Sequence, residues 1–447
     1  MRDDPNVQGA RRRTEFLPTL LPTLLPTLLP TLLQTAVVVT LSTALFAEPL
    51  LRLVEFREPN GYLHVGFASR IAKTHVLYPG HFLYHVLTIA VHRLLPVSWL
   101  QAHFLVVLAA RVWSALIVWR LVRQSLQDRN TANDALLAIL VSLGLLSASA
   151  ISFATWGRGN YYLGYIAPNL TVSQTLVVLQ PLALLTFLSV VRGLSGPAPG
   201  QSRGNLLLMA LLASASTLAK PSYVMVLLPA LAILLLARMP SLRVVPRSRG
   251  HLLSILRRWP GDLKPALSFG LAFVPVLAAI GWIYLSTYLT VQGLDAGQSS
   301  GIRIAPFLVM TFLQRVFGPD SHVAAWLFGK FLLSIVFPAS VAVAYFSRIR
   351  QDPRFQLAWL QFAFGLLYMY LFAEAPLFAA GNFTWSAHIA LFILFVVSAL
   401  ILIEQTLAGV ESRWRGLVST RGAAFCFAVL TLHVLGGIGM YLHPWVN

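Results

Sequence analysis

Carboxylates are scarce in this sequence. Aspartate and glutamate number 15 in 447 residues, against 33 lysines and arginines, and only 11% of the chain is charged while 57% is apolar. That balance is not one of a soluble protein, so the net charge of +18 does not point to nucleic acid; it comes from cationic loops between apolar runs. A single cysteine, Cys426, excludes an intrachain disulfide, and its apolar surroundings mark it as a packing residue. There is no Walker loop, nucleophile elbow or dinucleotide fingerprint. Nor is there the ten-residue alternation of an outer-membrane barrel.

What the chain has instead is a series of apolar runs of about 18 to 23 residues, the length that crosses a hydrocarbon core as a helix. Backbone groups in lipid must bond within their own segment, so the expected fold class is an all-α integral membrane protein, a polytopic bundle of transmembrane helices. The expected crossings are residues 32–53, 99–122, 135–154, 174–191, 206–219, 223–237, 266–288, 322–346, 355–373, 388–407 and 422–443, eleven in all. Residues 82–95 and 306–317 are ambiguous and allow up to thirteen. Residues 1–31 form a cytoplasmic tail with a fourfold PTLL repeat, in which Pro18, Pro22, Pro26 and Pro30 each remove a helical bond. This tract reads as a lead-in to an uncleaved first anchor, and residues 32–447 read as one transmembrane domain.

Basic residues flank cytoplasmic ends of spans, which orients the chain. With the N-terminus inside, 22 of the 33 cations fall on inner segments, including Arg11 to Arg13, Arg120, Arg123, Arg192, Arg203, Arg348, Arg350, Arg354, Arg421 and seven in the loop 238–265. The C-terminus then lies outside. So do residues 54–81, the turn 155–169, Lys220, the loop 290–304 and the segment 374–385.

Ionisable groups near membrane depth gather at functional sites more often than they decorate a solvated face. The first outside loop, residues 54–81, concentrates them: Glu55, Glu58, His64, His75, His81, Arg57, Arg70 and Lys73, with His85 just beyond. Glu58 precedes Pro59-Asn60-Gly61, a turn signal able to hold a carboxylate over the helices. Residues 61–73 have the pattern of an interfacial helix. Lys220 is one of four lysines and interrupts two short spans, where its ammonium either snorkels to the surface or meets a phosphate. Arg158 stands in a glycine-flanked turn that ends at Asn169. Glu374, Asn382 and Trp385 bring a carboxylate, an amide and an aromatic face suited to a sugar within twelve residues. His81 and His85 would share a helical face, as two metal ligands do. No glutamate of the HExxH kind accompanies them, so no metal or other cofactor is expected.

The layout resembles the GT-C class of membrane glycosyltransferases. The resemblance rests on the acidic residues after the first span, the His81-x-x-x-His85 entry to the next apolar run, Arg111 in AARVWSAL, and the segments STLAKPSYVMVLLPAL and GNFTW. It covers nearly the whole chain, with loose motifs. It implies a bacterial plasma-membrane enzyme that moves a sugar from a polyprenyl-phosphate donor to a cell-envelope acceptor on the outer face. Glu58 would then be the base, Arg158 or Lys220 the phosphate partner, and Glu55, His64, His81, Asn169, Glu374, Asn382 and Trp385 substrate-binding residues. The partners implied are the lipid-linked donor and membrane lipids, not nucleic acid. Asn60, four residues before His64, departs from the class, which would have an acid there; an amide takes no proton. The alternatives are a transporter or flippase for an envelope lipid or glycan, kept open by the short spans around Lys220, and a non-catalytic membrane protein.

Overall fold

The computed structural model describes residues 5–55, 59–77, 81–126, 131–152, 166–168, 173–195, 203–238, 249–285, 301–306, 323–375, 382–411 and 416–442. These form thirteen helices and one small β-ladder. The helices are α1 (Pro5–Glu55), α2 (Pro59–Thr74), α3 (Leu83–Leu94), α4 (Trp99–Ser125), α5 (Ala132–Ser147), α6 (Gln174–Ser195), α7 (Arg203–Ala219), α8 (Ser222–Arg238), α9 (Arg249–Tyr284), α10 (Val323–Ile349), α11 (Pro353–Leu371), α12 (Asn382–Glu411) and α13 (Gly416–Leu442). Seven of them are long and apolar enough to cross a membrane, in α1, α4, α6, α9, α10, α12 and α13. The protein is a helical multi-pass membrane protein.

Sequence explains which helix sits at the centre. α12 is apolar on every face (HIALFILFVVSALILI), and such a helix has no side to offer to a polar environment. Its membrane-spanning stretch is entirely buried, packed by α11, α10, α8, α13, α4 and α6. α6 is buried nearly as deeply, whereas α1, α9 and α10 turn most of their surface outward. α7 and α8, at 17 residues each, are shorter apolar helices about 25 Å long, at the lower limit of the length that crosses a bilayer core.

The structure departs from the sequence reading in several places. The PTLL repeat lies within the continuous helix α1; prolines four apart leave their missing bonds along one stripe, and the remaining ladder carries the helix. The basic loop is helical from Arg249 onward, continuing into the span of α9. The fold is not purely α: Gly301–Ile304 (β1) pairs antiparallel with Phe372–Ala375 (β2). The expected span 135–154 stops at Ser147, and residues 148–150 and 152 continue as buried, non-helical chain.

Non-helical backbone at membrane depth must be satisfied by protein, and this segment is. Ser149 donates its N–H to His433 O, Ile151 to Leu333 O, and His433 Nδ1 bonds Ser149 O. Ile166 donates to Ser334 Oγ, and Ala167 bonds His388 Nδ1. The close approach depends on Gly436 and Gly437 in α13. A Cβ at Gly436 would stand 2.7 Å from Ala150 O, and one at Gly437 would overlap Ser147 O.

The two ends of the bundle differ in charge. One end gathers Gln34 with Arg123, Ser125 and Arg354 with Glu404, Arg238 with Gln356, and Arg348 with Gln405. Arg120, Arg192, Arg203, Arg350 and Arg421 are exposed, and the helix ends that carry them lie at this same end. The other end holds α2, α3, the β-ladder, Lys220 and the start of α12. The ladder joins two segments, 290–304 and 374–385, that the charge pattern had assigned to one side.

Candidate functional site

The polar cluster at the arginine-poor end is built on the α3–α4 hairpin. Ser98 caps α4, with its side chain accepting from Gln101 N–H and Gln101 answering on Ser98 N–H, a capping box that fixes the chain entry. His92 Nδ1 bonds Val97 O at 2.8 Å and its ring stacks on Trp99. The locked hairpin sets Tyr84, His85 and Thr88 of α3 against His103 of α4. Tyr84 OH and His103 Nδ1 are 2.6 Å apart, with Thr88 Oγ1 at 3.5 Å. His103 lies four residues into α4, roughly 6 Å below its outer end.

α2 supplies the other wall. Ala68 and Ile71 bury against Ile89 of α3, while Arg70 and Lys73 stay exposed. This packing brings His64 Nδ1 to 2.9 Å from His85 Nε2, with His64 edge-on to Tyr84. His81 precedes α3 rather than riding on it, so the four-residue spacing to His85 does not place both on one helical face. His85 pairs with His64 instead. Among the described residues no group of three His, Cys, Asp or Glu is disposed to hold a metal ion.

Lys220, at the junction of α7 and α8, is 5% exposed. Its Nζ donates to Thr175 Oγ1 at 3.2 Å and lies 5.3 Å from the Trp385 ring centroid. Gln174 beside Thr175 reaches Leu53 O at the end of α1. The ammonium is therefore drawn inward by a hydroxyl and an aromatic face, not extended to the surface as a snorkelling lysine would be. Its charge acts on the histidines. Burial chiefly, then His85, His81, Lys220 and His103, hold His64 well below the ordinary imidazole value; burial, then Lys220 and His85, do the same to His81. Both rings are neutral at physiological pH, able to donate and accept hydrogen bonds.

Of the residues singled out from sequence, the structure brings Lys220, Trp385, His64 and His81 to this end. Glu55 ends α1 with its side chain exposed. Glu374 lies on β2 opposite Ile302, and Asn382 opens α12. Glu58, Arg158 and Asn169 fall outside the described residues. Arg111 is fully buried in α4, donating to Gln180 and lying over Phe46, apart from the cluster. Sequence reading missed His103, Tyr84 and Thr175, and a second buried lysine, Lys330 of α10. Tyr84 and His103 give no signal alone, since an isolated polar ring in an apolar run reads as core.

Comparison with known proteins finds no matching family model and no curated protein that matches the sequence.

Proposed function

We propose that the protein is a GT-C-like membrane glycosyltransferase that moves a sugar from a polyprenyl-phosphate-type lipid donor to a cell-envelope acceptor, at the outer face of a bacterial plasma membrane. The observation that carries this reading is the buried Lys220 ammonium near neutral imidazoles, at the bundle end opposite most of the described arginines. A lysine withdrawn from water forfeits several kcal/mol of hydration, and a cation held among neutral polar groups suits an anionic group of a lipid substrate. Eleven crossings, with the N-terminus cytoplasmic and the C-terminus outside, set the cluster where an envelope acceptor arrives. Of the two candidate phosphate partners, Lys220 and Arg158, the buried ammonium favours Lys220 as the group that holds the donor phosphate. Glu58 serves as base toward the acceptor hydroxyl, and His64, His81, Asn169, Glu374, Asn382 and Trp385 with Glu55 line the sugar and acceptor path. No metal or cofactor is assigned a role.

The test is donor-lipid turnover by purified protein. Lys220→Met keeps the stem, removes the charge and abolishes turnover while the protein still accumulates; Lys220→Arg keeps part of it. Glu58→Gln lowers the rate by on the order of 10²- to 10⁴-fold, as loss of a general base does. Full turnover in Lys220→Met contradicts the reading.

One observation favours a second reading, a transporter or flippase. The break after Ser147, with buried non-helical chain at 148–150 and 152 held by α10 and α13, is the kind of interrupted helix on which transporters build substrate sites. Flux of a lipid-linked glycan without chemical transfer, in sealed vesicles, would select it.

A further inference from the structure

The His64–His85 contact has a charge capacity set by its geometry. At 2.9 Å between His64 Nδ1 and His85 Nε2, one ring donates an N–H to the other's lone pair. One further proton goes to the outer nitrogen of the donating ring, and the shared bond persists, strengthened by charge. A second would set N–H against N–H at the same distance, so the pair takes up one positive charge and no more. His85 is fully buried, and its Nδ1 has no hydrogen-bond partner among the described residues; His103 beside it leaves Nε2 in the same condition.

The charged groups that the described residues of the surrounding elements carry are these. Arg52 pairs with Glu48 at the surface of α1, and Glu55 is exposed. Arg111 of α4 is engaged with Gln180. On α2 and α3 themselves, Arg70, Lys73 and Arg93 are exposed, and His92 is bonded to Val97. Lys220 is the cation whose charge reaches His64 and His81. Among the described residues the cluster thus holds one fixed positive charge, on Lys220, and one that can be acquired.

We infer that this end of the bundle binds a phosphomonoester dianion, Lys220 supplying one positive charge and the His64–His85 pair taking up one proton to supply the second. Its place in a reaction rests on the transferase reading. The donor is a phosphodiester with one negative charge, which Lys220 alone matches. Transfer breaks the bond from the sugar's anomeric carbon to the phosphate oxygen and forms one to the acceptor oxygen. It releases the acceptor's hydroxyl proton and leaves the lipid phosphate as a dianion. Glu58 takes the hydroxyl proton as the new negative charge forms and passes it to the pair, which holds it opposite that charge.

The experiment uses full-length protein in nanodiscs of zwitterionic lipid and needs no turnover. Titration calorimetry near pH 7, in two buffers of different ionisation enthalpy, counts protons taken up when methyl phosphate or dimethyl phosphate binds, the ligand's own protonation being subtracted. A long-chain alkyl phosphate and a dialkyl phosphate in the bilayer repeat the comparison. Uptake of about one proton is expected with a monoester and none with a diester, and about tenfold or tighter binding of the monoester. Uptake with the long-chain monoester alone assigns the ligand to lipid; uptake with methyl phosphate as well shows that the phosphate group suffices. Lys220→Met loses binding of both, while His85→Phe and, independently, His64→Gln lose the uptake and the preference for monoester. No binding, no proton uptake by wild-type protein, or equal affinity for the two esters overturns the inference. Proton-coupled binding in a protein that transfers no sugar sinks the transferase reading and leaves the dianion site standing.

Discussion

An imidazole packed among other rings resists protonation, and this ties the fold to pH. His64 and His81 are held well below the ordinary value, chiefly by burial, whereas in the unfolded chain they titrate near about 6.5. The unfolded state therefore binds more protons once pH falls below that value. The stability these residues contribute is complete above about pH 6.5 and is lost progressively as pH drops toward their depressed folded values, by up to about 1.4 kcal/mol per unit and residue. Thermal unfolding in detergent is expected to fall between pH 7.5 and 5.5, with a shallower fall in His64→Gln and in His81→Gln. An unchanged slope in both variants would remove these rings from the account. The same residues show what a sequence conveys. Lys220 stood out because a lone cation between two short apolar runs conflicts with its surroundings. His103 did not, since its significance lies in meeting Tyr84, 19 positions away along a chain that turns at Ser98.

Elements were legible where periodicity and length act alone. α4, α7, α8, α10 and α11 begin and end within a few residues of the apolar runs. The end of α5 was hidden, because SASAIS continues the apolar pattern and contains neither proline nor glycine. The break is imposed from outside, by the notch that Gly436 and Gly437 cut in α13 and by carbonyls on α10 and α13 that accept from Ser149 and Ile151. Gly437→Ala sets a methyl against the Ser147 carbonyl, a backbone atom that cannot rotate away. It is expected to cost about 1–3 kcal/mol, as overpacking does. Gly270→Ala in α9 meets open space and should be neutral or slightly stabilising. Equal unfolding temperatures for the two variants, measured in the same detergent, would mean that the notch is not filled by the α5 extension.

At the scale of the whole molecule, the alternation of basic segments predicts two chemically different ends, and most of the described arginines gather at one. Which compartment each end faces is a separate matter that labelling resolves. With Cys426 buried, a cysteine at exposed Gln351 is expected to resist an impermeant thiol reagent in intact cells, while one at Ile304, 76% exposed on β1, reacts. The reverse pattern inverts every crossing. The charge capacity of the site, unlike the polarity, was not legible, because it depends on α2 and α3 folding back upon one another. On the proposed reading a lipid phosphate is held at the Lys220 end. A polyprenyl phosphate bearing a photoreactive group next to its phosphate tests it most directly, with crosslinked peptides mapped by mass spectrometry. Crosslinks are expected on α2, on the segment around His81, at the α7–α8 junction and in the first turn of α12, and they should be lost in Lys220→Met. Crosslinks confined to the arginine-rich end, or spread along the exposed faces of α9 and α10 and unaffected by Lys220→Met, would contradict it.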